Sequence, residues 1–227
     1  MTVPDDRAEP SDRPPPPRRR PTGELVRGDD GHRRCRWGAA PGERDYHDTE
    51  WGRPVVDDVR LYEKLCLEGF QSGLAWSTIL AKRDNFRRAF AGFDPAVVAD
   101  FGAADVARLL GDAGIVRHRG KIDATIANAR ATLSVQADHG SLAAFVWSFA
   151  PTARRPAPAR LADVTPTTPE SVALAKGLKR EGFRFVGPTT AYAAMQSLGL
   201  VNDHLRGCWV RGACLAERQA ATIPGRA

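Results

Sequence analysis

The sequence predicts an all-α fold, and three observations carry that prediction. Apolar residues recur at helical spacing in seven segments between residues 57 and 198. No segment shows the period-two alternation of a half-buried strand. The stretch that interrupts the helical pattern, residues 151–169, contains five prolines and reads as a connecting loop.

In chain order, residues 1–33 stand apart from the rest. The first 34 positions hold seven of the 17 prolines, with the run Pro14–Pro17 followed by Arg18, Arg19 and Arg20, and only five apolar side chains. Such a stretch buries too little surface to offset the entropy of ordering it, so a disordered tail is expected. Its eight arginines and seven acids account for +1 of the chain's formal +6. The first helix is expected over Asp57–Gln71, with Leu61, Leu65 and Cys66 inward, and the second over Ala75–Phe90, with Ile79, Phe86 and Phe90 inward. Val106, Leu109, Leu110 and Ala113 mark a third. Ile122, Ile126, Ala129 and Leu133 mark a fourth at i, i+4, i+7 and i+11. Leu142, Phe145, Val146 and Phe149 mark a fifth. Helices resume over Glu170–Arg180 and Pro188–Leu198, the latter with proline at its first position. Residues 34–210 thus form the helical body. Residues 211–227 read as a C-terminal tail, fraying after Cys214.

Composition narrows the function classes. A 42% hydrophobic, 26% charged chain of 227 residues can bury a sizeable core. No run of 18 apolar residues exists, so no membrane-crossing helix is expected. The arginine- and proline-rich start lacks the apolar stretch of a secretory signal, and the expected location is the cytoplasm. Four cysteines in this length do not make a disulfide scaffold. The net charge of +6 points mildly toward a polyanionic partner.

Three constellations carry potential chemistry. Cys35, His47, His204 and Cys208 make a two-cysteine, two-histidine set suited to tetrahedral zinc. His204 and Cys208 are four apart, as on one helical turn. Such a closed set would staple the two ends of the body. Closing a loop of about 170 residues removes unfolded-state entropy worth on the order of 4–5 kcal/mol, by analogy with a disulfide. Second, Glu68 continues the apolar stripe of Leu61 and Leu65. A carboxylate on that face must be paired, hydrogen-bonded or kept for function. Gly69 and Gly73 allow a flat ligand to approach, while Trp76 and Tyr46 offer rings. Third, Ala113–Ile122 joins two apolar helices through Gly114 and Gly120, with Arg117, Arg119 and Lys121 in or beside the turn. Free amides at the second helix's start plus these cations would hold phosphate, in the manner of a helix-hairpin-helix on a DNA backbone. The ordinary alternatives are a surface histidine and buried cysteine, a satisfied helix-end glutamate and a solvated basic turn.

These motifs occur together and in order. Arg34-Cys35-Arg36-Trp37 is followed by Tyr46-His47-Asp48-Thr49-Glu50-Trp51-Gly52, the Glu68–Trp76 segment and Ala113–Lys121. Phe145–Phe149, Gly182–Gly187 and Val201–Cys208 complete the series. Over about residues 33–210 the chain closely resembles the bacterial 3-methyladenine DNA glycosylase I family. The resemblance implies a helix-hairpin-helix glycosylase fold with two helical subdomains around a cleft. It implies one structural zinc on Cys35, His47, His204 and Cys208. It implies Glu68 as the pocket glutamate and Tyr46 and Trp76 as stacking aromatics, with Trp51 and Trp37 nearby. The expected partner is alkylated double-stranded DNA, bound by a monomer through Arg117, Arg119, Gly120 and Lys121. The expected reaction is hydrolysis of the N-glycosidic bond of N3-methyladenine. Two other readings stay open on sequence alone: a glycosylase of different alkylated-base range, decided by residues such as Phe70 and Ser72, and a non-catalytic zinc-containing DNA-binding module. Phe70, Ser72, Ala75 and Trp209 depart from the family's pattern without replacing a proposed site residue.

Overall fold

The computed structural model describes residues 24–153 and 155–225, so most of the expected N-terminal tail lies outside the described residues. The final ten residues of that expected tail are folded. Two short strands, β1 (Leu25–Arg27) and β2 (Arg33–Cys35), pair antiparallel with Leu25 opposite Cys35. This corrects both the tail boundary and the expectation of no strands. Three-residue strands are too short to show alternation, and the charge that looked solvated is paired. Arg34 is buried, with its guanidinium on Asp48 (Nε–Oδ1 3.0 Å, Nη2–Oδ2 2.7 Å) and on Asp30 (Nη1–Oδ1 2.9 Å). The two hydrogen bonds from Arg34, helped by the His32 amide, hold the Asp30 carboxyl well below the usual carboxylate range.

Among the described residues ten α-helices follow: α1 (Arg44–Thr49), α2 (Asp58–Gln71), α3 (Trp76–Ala89), α4 (Pro95–Ala99), α5 (Ala103–Gly111), α6 (Arg119–His139), α7 (Leu142–Ser148), α8 (Pro169–Arg180), α9 (Pro188–Ser197) and α10 (Arg211–Ala220). The central one is α2. Its Asp57 cap accepts from the Arg60 amide at 2.9 Å, and every residue from Leu61 to Phe70 is buried. A helix buried all round must run through the middle of a bundle, and α2 contacts α3, α6, α7 and α9. Asp58, in its first turn, takes the amides of Leu142 (2.9 Å) and Ala143 (2.8 Å), and so locks the start of α7 onto α2. Phe70, Phe86, Phe90 and Phe93 stack in series beside it, the first two rings 4.6 Å apart.

The fourth expected helix is α6. Its Ile122, Ile126 and Ala129 are buried as the spacing requires, but Leu133 is exposed, and Thr132 and Val135 face inward there instead. The proline-rich stretch is irregular apart from a single turn at Leu161–Asp163. The expected C-terminal tail is corrected as well, since residues 211–220 form α10. Its apolar content is slight, and Cys214 alone is buried. The helix is held instead by hydrogen bonds from Arg211 Nη1 to the carbonyls of Asn202 (2.7 Å) and His204 (2.6 Å). One continuous core runs from Val55 to Val201. A small second cluster of Cys35, Leu205, Cys208 and Val210 packs with Leu25 and Trp37 where the chain's two ends meet.

Candidate active site and metal cluster

The end of α2 sets the pocket. Gly73, at φ 81°, turns the chain out of α2, and α3 begins at Trp76. One tight connection thereby places Glu68 and Trp76 together, and α1 supplies Tyr46. Their shared cavity is 540 Å³, with Trp37, Trp51 and Gln71 also on its walls. Glu68 is 5% exposed. Burial pushes its carboxyl well above the usual range, while the Lys64 ammonium and a Ser197 hydrogen bond pull the other way. The Tyr46 and Trp76 rings lie 5.2 Å apart, tilted by 41°. At that spacing they touch each other and form a single aromatic wall. The indole N–H of Trp76 is buried with no acceptor among the described residues.

Sequence reading missed Lys64. It is buried, its ammonium donates to the Tyr46 hydroxyl at 2.9 Å, and it sits 4.3 Å from the Tyr46 ring centre and 5.0 Å from that of Trp76. Burial drives its basicity down, and the charge of Glu68 partly restores it. The available signal was its position, one helical turn before Glu68 on the same face.

Cys35, His47, His204 and Cys208 come together as a buried cluster whose donor atoms all lie within 4.8 Å, a set able to hold a metal ion. Cys35 arrives on β2 and His47 on α1. The last two do not share a helical turn. Residues 202–208 are irregular, and Gly207, at φ 88°, bends the segment so that both side chains face inward. The outer nitrogen of each imidazole is already engaged: His47 Nδ1 lies 2.7 Å from Asp48 Oδ1, and His204 Nε2 lies 2.9 Å from the Trp51 carbonyl. The inner nitrogens face Cys208 Sγ, at 3.5 Å from His47 Nε2 and 3.6 Å from His204 Nδ1. The hydrogen bond between the two thiols holds Cys208 low and pushes Cys35 up.

The pattern of the methyladenine glycosylase family matches residues 37–211. The chain belongs to the methyladenine glycosylase family. It is 49% identical over 177 residues to DNA-3-methyladenine glycosylase 1 of Escherichia coli K12, covering 77% of this chain and 95% of that protein. It is 45% identical over 182 residues to DNA-3-methyladenine glycosylase of Haemophilus influenzae, covering 77% and 96%. A solved 3-methyladenine DNA glycosylase I superposes with a TM-score of 0.74 at 49% identity, covering 78% of this chain and 98% of that one. A solved variant of 3-methyladenine DNA glycosylase I in complex with 3-methyladenine gives 0.73 at 33% identity, covering 76% and 93%.

The family match begins just after β2 and ends at the first residue of α10. The basic turn between α5 and α6 lies inside it. Arg117, Arg119 and Gly120 are exposed, and the amides of Arg119 and Gly120 have no acceptor among the described residues. Lys121 does not belong with them. It is 7% exposed, and its ammonium donates to the carbonyls of Phe70 (2.8 Å) and Ser72 (2.6 Å). It satisfies carbonyls that the end of α2 leaves open, and so fastens the turn to the segment carrying Glu68. A helix's first turn has both an inward and an outward side, and sequence spacing alone did not separate them.

Proposed function

We propose that this methyladenine glycosylase hydrolyses the N-glycosidic bond of N3-methyladenine in alkylated double-stranded DNA, releasing the free base and leaving an abasic site. The observation that carries this reading is a buried carboxylate, Glu68, beside the aromatic wall of Tyr46 and Trp76. N3-methyladenine in DNA is cationic. An electron-rich ring attracts a cation, and Lys64 already covers one side of both rings, so the base takes the other. The Glu68 carboxylate accepts hydrogen bonds from the base edge and opposes its charge. As the N9–C1′ bond breaks, its electron pair neutralises the base, and water adds to C1′ with loss of a proton. The leaving group is good enough to need no strong acid, so tight binding of the departing base carries the rate.

The nucleotide reaches this pocket by leaving the stack, at a few kcal/mol. Arg117, Arg119 and the first amides of α6 form the phosphate grip of a helix-hairpin-helix. Leu74, an exposed apolar side chain at the tip of the α2–α3 connection, is placed to fill the gap. The helices on the hairpin side and those around α9 are the two subdomains of the cleft. The protein acts as a monomer on chromosomal DNA in the cytoplasm.

The Cys/His cluster fits zinc. Bonds of ~2.0–2.3 Å in a tetrahedron set donors ~3.3–3.8 Å apart, beside the 3.5, 3.6 and 3.9 Å found here. Both imidazoles also carry the outer hydrogen bond that orients metal ligands. With all four positions filled by side chains, bound zinc supplies a structural joint.

Release of 3-methyladenine from methylated duplex tests the reading. Glu68→Gln and Trp76→Ala should each lower single-turnover release by a factor of at least ten while leaving affinity for undamaged duplex intact. Release at the wild-type rate by both variants would move the chemistry out of this pocket.

A further inference from the structure

A second cavity, of 640 Å³, lies between residues 151–153 and 155–157, Val201 and Asn202, and one face of α10. Arg211, Leu215 and Arg218 recur along that face at i, i+4 and i+7. Leu215 and Arg218 stand beyond the family match, which ends at residue 211.

Among the described residues three arginines line it, Arg155, Arg211 and Arg218, and none of the lining residues is acidic. Asp203 acts on Arg155 and Arg211, and Glu170 on Arg155, from outside the lining. Asp203 is buried and committed to the Tyr192 hydroxyl at 2.5 Å and the Gln196 amide at 2.9 Å. Arg155 gives Nη1 to the Tyr192 hydroxyl, and Arg211 gives Nη1 to the Asn202 and His204 carbonyls. A guanidinium has five N–H donors. The Nε and Nη2 groups of both residues have no acceptor among the described residues. The bonds at Nη1 fix the two planar forks in place, which is the arrangement that suits bidentate capture of phosphate oxygens. The volume exceeds what a bare phosphate fills, and Pro156, Val201 and Leu215 give the remaining wall an apolar surface suited to an organic group.

We propose that this cavity is a second binding site, for a phosphate ester of nucleotide size, separate from the base pocket. The phosphate belongs to a free nucleotide or to a nucleic-acid strand, and the test tells these apart. Thymidine 5′-monophosphate and thymidine are titrated calorimetrically into the full chain, with free 3-methyladenine present to fill the base pocket. The monophosphate should bind at least tenfold more tightly than thymidine. Arg218→Gln, which removes a cation, and Leu215→Trp, which fills the cavity, should each weaken it at least tenfold. Retained release of 3-methyladenine from methylated DNA shows that both variants are folded. Equal binding of monophosphate and nucleoside, or monophosphate binding that neither variant weakens, overturns the proposal. With the site established, weaker binding of undamaged duplex by Arg218→Gln assigns the phosphate to a strand, and unchanged duplex binding assigns it to a free nucleotide.

Discussion

At the scale of single residues, Glu68 and Lys64 decide how the pocket responds to pH. On the proposed mechanism the base needs Glu68 as a carboxylate, and burial sets that carboxyl at about 7. Single-turnover release should therefore fall as pH drops through about 7, and Glu68→Gln should show a low rate without this limb. The Lys64 ammonium favours the ionised carboxylate, so Lys64→Met should move the acidic limb to higher pH, where a purely structural role for Lys64 would leave the midpoint in place. Stability runs the other way. A carboxyl raised from 4.5 in the unfolded chain favours the fold below 4.5, and that contribution is lost as pH rises through its folded value. Glu68→Gln should thus melt above wild type at pH 8, with a smaller difference at pH 4. Glu68 was legible in the sequence because it continues an apolar stripe. Lys64 was not, because nothing in a helical pattern tells a buried lysine from one that reaches water.

At the scale of elements, the first turn of α6 divides its labour. Arg119 faces out and Lys121 faces in. Arg119→Ala should lower the salt dependence of duplex binding by about one unit of slope, the share of one phosphate contact. Lys121→Met should leave that slope unchanged and cost about 2–3 kcal/mol in denaturant unfolding, since it strips charged hydrogen bonds from buried carbonyls. A lowered slope for Lys121→Met would return this lysine to the DNA surface. The long helices were readable because each buries a stripe at helical spacing. The strands and α10 were not: their placement comes from Arg34 on two aspartates and Arg211 on two carbonyls, contacts between residues far apart in the chain.

At the scale of the whole molecule, the Cys/His cluster joins the N-terminal hairpin and α1 to the segment before α10. Its four residues were legible by type, while their convergence through an irregular segment was not. If the proposed zinc joint holds, stripping the metal, or Cys208→Ser, should cost about 4–5 kcal/mol on the loop-closure argument. That corresponds to a calorimetric melting point about 10–20 °C lower for a body of this size. An unchanged melting point after the metal is stripped would show that the core alone holds the ends.

The same joint has a consequence for how the protein is made. Cys35 and His47 leave the ribosome early, and His204 is 157 positions behind His47. At about 5–20 residues per second, the two early ligands wait roughly ten to thirty seconds for their partners. For that interval the growing chain carries half a metal site, open to oxidants and to competing ions, before the fold can enclose it.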